Sequence, residues 1–172
     1  MNQVVRFSKF IKCKNDITQP CVYVQDSVNI PIFVKKYDLK PCKTYNPPSV
    51  KVYEEIDSYL WLCLFVGLID GDGHISTLHK GRCNQIRIKL HGSWLEFLLH
   101  CGSRLSGLSG DGVSPAKINN YGYAELSINR QSVVSFLNDF VKKNNLPVLE
   151  RKWSRIDEAK QKRKEHCVSP KP

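Results

Sequence analysis

The sequence predicts an α+β domain: an antiparallel four-stranded sheet covered by helices on one face, in the order α-β-β-α-β-β-α-α, preceded by an irregular extension. Three observations predict it. Apolar residues from Ile56 to Ile69 fall on almost every face of a helix. Gln85–His91 and Tyr123–Asn129 alternate apolar and polar residues with the period of half-buried strands. Helical spacing returns after each strand pair, which segregates helices from strands as an α+β layout does.

Taken in order, residues 1–53 read as a basic, proline-interrupted N-terminal extension. Val22–Val24 and Ile30–Val34 are candidate short strands, but Pro20, Pro31, Pro41, Pro47 and Pro48 break the pattern around them. Asn46-Pro47-Pro48-Ser49 reads as the linker to a domain over 54–165. Its first helix is capped by Asp57 or Ser58, is expected to be buried nearly all round, and ends at Gly73. Two strands follow, His74–Lys80 and Gln85–His91, joined at Gly81. In the second, Ile86, Ile88 and Leu90 face one way and Gln85, Arg87, Lys89 and His91 the other. Ser93 is placed to cap a helix through Leu105, with Leu95, Leu98, Leu99 and Leu105 as its apolar stripe. After a turn at Gly107–Gly112 come strands Pro115–Asn119 and Tyr123–Asn129, hinged at Asn120-Tyr121-Gly122, with Ala124, Leu126 and Ile128 toward the core. Helices over Gln131–Lys143 and Val148–Lys164 complete the domain, and the tail 166–172 is expected to fray.

Composition narrows the partners. A formal net charge of +10, with apolar residues at 41%, describes a folded chain suited to a polyanion. The longest apolar run, Tyr59 to Ile69, is far short of the roughly 20 residues that cross a bilayer, so no membrane partner is expected. The 7 cysteines include no Cys-x-x-Cys pair and no zinc-finger spacing, so reduced thiols in an intracellular setting are expected. Met1–Lys14 is basic and free of acids, a pattern shared by mitochondrial presequences and by basic arms. An organellar location, mitochondrial before others, is the expectation.

The chemistry concentrates in Phe65-Val66-Gly67-Leu68-Ile69-Asp70-Gly71-Asp72-Gly73. Gly67 and Gly71 share a helix face and have no side chain to hold a second helix away. A mid-helix glycine costs about 0.5–1 kcal/mol relative to alanine, so Gly67 calls for a packing reason. Asp72 lies at the helix C-terminus, where the macrodipole disfavours a negative charge. A divalent cation reverses that balance, because it takes carboxylates together with free helix-end carbonyls. Gly110-Asp111-Gly112 has a similar tripeptide without that helix and reads as a turn alone.

This stretch resembles the LAGLIDADG signature of homing endonucleases, departing from it at Phe65 and Val66, where Leu and Ala are usual. The order of elements around it also resembles that family's half-domain, over roughly residues 57–164. The resemblance implies a dimer whose motif helices meet through Val66, Gly67, Asp70 and Gly71. It implies that Asp72, with the Gly71 carbonyl, holds Mg²⁺ or Mn²⁺ and that double-stranded DNA is hydrolysed. A basic residue near the scissile phosphate falls on Lys152, with Arg151 as the alternative, since a one-residue slip exchanges them. For a residue that positions water, Gln85, Lys89 and His91 all remain open. A homodimer is expected, and pairing with a different half-domain stays open.

A strand face mixing Arg, Lys, Gln, Asn and Glu carries the side chains that pair with base edges in a major groove. The expected reading set is Ser76, Lys80, Arg82, Gln85, Arg87, Lys89, His91, Lys117, Asn119, Glu125, Ser127 and Asn129. Arg151, Arg155, Lys160, Lys162, Arg163 and Lys164 are expected near phosphates. The rival reading takes RNA as partner, either as a splicing maturase or as a structural subunit of a large ribonucleoprotein particle such as an organellar ribosome. Against it stands the intact Asp70-Gly71-Asp72-Gly73 segment.

Overall fold

Pairs of strands are separated by helices along the chain in a computed structural model that describes residues 28–32, 34–38, 44–78 and 83–164, together with the backbone of 11–14, 21–24, 33 and 165–168. The chain divides into two compact units, 1–39 and 40–172. In the first, β1 (Ile11–Lys14) pairs antiparallel with β2 (Cys21–Val24), matching Ile11 to Val24, and α1 spans Asn29–Lys36. The strand expected at Ile30–Val34 is therefore a helix. Pro31 permits this because it lies in the first turn, where its missing N–H has no intrahelical acceptor to lose.

The second unit contains α2 (Val50–Glu54), α3 (Ser58–Asp72), β3 (Gly73–Leu78), β4 (Cys83–His91), α4 (Leu95–Ser109), β5 (Lys117–Ile118), β6 (Tyr123–Ile128), α5 (Gln131–Lys143) and α6 (Glu150–Val168). Its four strands form an antiparallel sheet in the order β3-β4-β6-β5. This is the α+β arrangement expected, with one short helix added in front. Gly92–Trp94 is a 3-10 turn, so Ser93 does not cap α4; instead the His91 side chain accepts from Ser93 N. Helix α4 then runs on past Leu105 to Ser109 and stops where Gly110 takes a left-handed φ of 72°.

The register explains the core. Ile75 opposes Ile86, Ile86 opposes Ile128, and Ile88 opposes Leu126, so one sheet face is apolar except at Asn84 near its edge. Those residues and Ala124 are at most 1% exposed. Helices cover that face with Trp61, Phe65, Val66 and Ile69 from α3, Leu98 and Leu105 from α4, Val133, Val134 and Leu137 from α5, and Trp153 and Ile156 from α6. Leu99, expected in the α4 stripe, is 40% exposed.

Residues 44–56 belong to this unit. The Arg104 guanidinium on α4 donates to the carbonyls of Tyr53 and Ile56 at the end of α2, and its charge lies over the Trp61 ring at 5.2 Å. Arg104 thus caps a helix whose sequence offers no basic C-terminal partner of its own beyond Lys51. A second tie is polar and internal. The Gln131 side chain exchanges hydrogen bonds with both backbone groups of buried Asn84, and the Asn84 amide donates to Arg155 O. Together these bonds join β4, α5 and α6.

Candidate functional site

The motif helix α3 begins under a side-chain cap and ends under a borrowed one. Asp57 Oδ1 accepts from Leu60 N at 3.0 Å. At the other end Gly73 is extended, with φ −85° and ψ 159°, and the chain passes directly into β3. A Cβ at Gly73 would lie 2.6 Å from Ile69 O, so a close backbone approach requires glycine here, not a left-handed cap.

Lys152 on α6 reaches this helix end. Its ammonium donates to Ile69 O at 3.0 Å, Asp70 O at 2.7 Å and Gly73 O at 2.6 Å. A lysine ammonium has three protons, and all three are committed. Without nucleic acid, the Lys152 charge thus lies against the C-terminal carbonyls of α3 and offsets their partial negative charge. Asp70 makes the reciprocal contact. Its Oδ1 accepts from the Trp153 indole at 2.8 Å and its Oδ2 from Leu149 N at 3.0 Å, just before α6 begins. Each helix therefore supplies the charge that the other's end requires. Within the chain Asp70 is engaged with α6, and Val66, 3% exposed, points into the core. Trp153 escaped the sequence reading; its position directly after Lys152 in an otherwise charged helix was the available signal.

Beyond this clamp one motif acid remains. Asp72 is exposed, and its carboxylate has no hydrogen bond or ion pair among the described residues. Gly67 and Gly71 are exposed too, with no atom within 4 Å of where a Cβ would stand. Leu60 and Leu64, each 38% exposed, extend this strip along α3. Within one chain the helix is thus buried on one side only, and burial nearly all round would need a second surface against this strip. A divalent cation would find a carboxylate and the adjoining Gly71 carbonyl here, which suits a hard ion. Among the described residues no group of three His, Cys, Asp or Glu side chains comes together.

The outer face of the sheet carries most of the expected reading residues. Ser76 opposes Gln85, Arg87 opposes Ser127, and Glu125 lies between Lys89 and Lys117. They are not independent. Gln85 Nε2 donates to Asn129 Oδ1 at 2.6 Å, and Arg87 Nη2 donates to Gln85 Oε1 at 2.8 Å. Arg87 Nε and Lys89 Nζ each lie 3.4 Å from a Glu125 oxygen, the former at ion-pair distance without hydrogen-bond alignment. Burial alone would raise the Glu125 carboxyl. Hydrogen bonds from Asn119, Lys89 and Ser127, with the Lys89 charge, outweigh it and hold the pKa below the usual carboxylate range.

Asn119 is chiefly a turn anchor, its Oδ1 accepting from the Tyr121 and Tyr123 amides. Lys80 and Arg82 lie outside the described residues. His74 joins the face opposite Arg87, exposed and unforeseen, although the two-residue period counted back from Ser76 points to it. Of the cations expected near phosphate, Arg155 donates to Ile75 O, Arg163 to Gln131, and Lys160 pairs with Asp139. Arg151, Lys162 and Lys164 are exposed.

No protein-family model and no curated protein matches the chain. Among solved structures, the crystal structure of a homing endonuclease, I-TnaI, is similar at 20% identity and a TM-score of 0.43, over 62% of this chain and 77% of that one. A likeness of that size leaves the function to the residues themselves.

Proposed function

We propose that the chain is one half of a dimeric, metal-dependent endonuclease of the LAGLIDADG type that cuts double-stranded DNA. The observation that carries the reading is Asp72, an exposed carboxylate without a partner at the end of a helix whose Gly67–Gly71 face is open. The other motif acid and the neighbouring lysine are spent on holding that helix end in place. A second copy meeting this face would bring a second Asp72 beside the first. Asp72 and the Gly71 carbonyl would hold Mg²⁺ or Mn²⁺, which when bound neutralises charge on a phosphate and acidifies water. The chain's own residues then do three things. Lys152 and Asp70 hold α3 against α6, the open α3 face sets the spacing of the two acids, and the polar sheet face lies along the major groove.

The test is cleavage of a randomised duplex library with Mg²⁺. Wild-type protein should select and cut a near-palindromic site, and Asp72→Asn should abolish cutting while duplex affinity changes less than about tenfold, or about 1.4 kcal/mol. Cutting that persists in EDTA or in the Asn variant would place the chemistry elsewhere.

A further inference from the structure

Among the described residues four aromatic side chains are exposed, Tyr45 at 65%, Tyr59 at 52%, Tyr121 at 85% and Tyr123 at 49%. Three of them gather at one end of the sheet. His91 and Tyr123 are paired across β4 and β6, and the Tyr45 ring meets the His91 ring edge to face with centroids 4.7 Å apart. Tyr121 occupies the β5–β6 turn, which Gly92 approaches so closely that a Cβ there would stand 2.7 Å from Gly122 O.

The segments bearing these rings are held firmly. Thr44 O accepts from both Ser93 Oγ and the Trp94 indole, which fixes the backbone next to Tyr45. Asn119 Oδ1 accepts from the amides of Tyr121 and Tyr123. Polar contacts thus hold in place rings that contribute little to the core. Lys89 and Lys117 flank Glu125 on the same sheet, and the Lys89 side chain, paired with Glu125 at 3.4 Å, is 47% exposed.

We infer that this end of the sheet is a stacking platform for unpaired nucleotides of a single-stranded nucleic acid, with Tyr121 and Tyr123 receiving base faces and Lys89 and Lys117 serving the phosphates. A duplex hides its base faces in its own stack, so exposed rings beside lysines fit an unstacked strand. The inference does not depend on cleavage, and its probes contain no cleavage site.

The experiment is fluorescence anisotropy at low salt with labelled U12, dT12 and a 12-base-pair duplex. Wild-type protein is compared with the paired variants Tyr121→Ala/Tyr123→Ala and Tyr121→Phe/Tyr123→Phe. The Ala pair should lose at least about fivefold in single-strand affinity and less than twofold for the duplex, whereas the Phe pair keeps both. The tighter of U12 and dT12 names the source of the strand. Equal losses on single strand and duplex, a Phe pair as weak as the Ala pair, or wild-type protein that binds neither single strand at tens of micromolar would each overturn the inference. Circular dichroism of the variants guards against a folding defect, and single Tyr121→Ala, at the more exposed position, serves if the pair misfolds.

Discussion

Lys152 and Asp70 illustrate how charges near a candidate site serve two helix ends. Removing the Lys152 ammonium takes a charged donor from three carbonyls, of which Ile69 O keeps the Gly73 amide, and hydrogen bonds to charged groups are worth about 1.5–3 kcal/mol each before relaxation. Lys152→Met should therefore lower stability by at least about 1.5–3 kcal/mol in denaturant titration; an unchanged midpoint would show that the contact carries no weight. Glu125 gives a pH-dependent counterpart. Its folded pKa is depressed below the ordinary value of 4.5, so its contribution is present above that value and is lost as pH falls through the folded pKa. Wild-type stability should thus fall more steeply below pH 4.5 than that of Glu125→Gln, measured by thermal melts across the acid range; parallel curves would contradict it. From sequence, Lys152 was recognisable as a basic residue after the second strand pair, but whether its ammonium met phosphate or backbone depended on the contact between α6 and α3. Residue spacing carries no information about that contact.

At the scale of elements, α3 shows what a hydropathy pattern conveys and what it omits. Its apolar content foretold burial, yet the side carrying Leu60, Leu64, Gly67 and Gly71 is open within the chain. A Cβ at Gly67 meets no atom within 4 Å, and Gly67→Leu gains helix propensity, on the order of 0.5–1 kcal/mol. The variant should melt no lower than wild type once it is monomeric, while sedimentation shows dimers replaced by monomers or aggregates. A wild-type protein that sediments as an active monomer at micromolar concentration would sink the dimer proposal. The helix at Asn29–Lys36 teaches the reverse lesson. A proline read as a breaker sits in the first turn, where it is compatible with a helix, and a run of five residues was too short to separate the two states.

For the whole molecule, charge is distributed by role. Arg87 belongs to a lattice across the outer sheet face, whereas Lys162 is a solvated charge on α6. Arg87 is 40% exposed and Glu125 14%, and Glu125 keeps Asn119, Lys89 and Ser127 as partners, so Arg87 can turn to a base edge without leaving that carboxylate alone. Arg87→Ala should relax specificity at one base position in each half-site, by about 1–3 kcal/mol of discrimination. Lys162→Ala should weaken all duplexes alike and flatten the salt dependence. Binding measured on a panel of single-base variants over several salt concentrations separates them. If both variants weaken every duplex equally, the sheet does not read bases.

The sequence by itself determined the α+β class, the β4 and β6 alternation, the α5 boundaries and the placement of Asp72 at a helix end. Each of these follows from local periodicity or from a residue's own backbone preference. Tertiary structure alone decided that Asp70 and Lys152 clamp two helices, that Arg104 binds α2 to the domain, and that Val66 faces inward while Gly67 does not. It also gathered Tyr45, His91, Tyr121 and Tyr123 at one end of the sheet. These outcomes depend on which orphaned carbonyl or open face meets a given side chain across a long sequence separation, and a one-dimensional pattern does not contain that pairing.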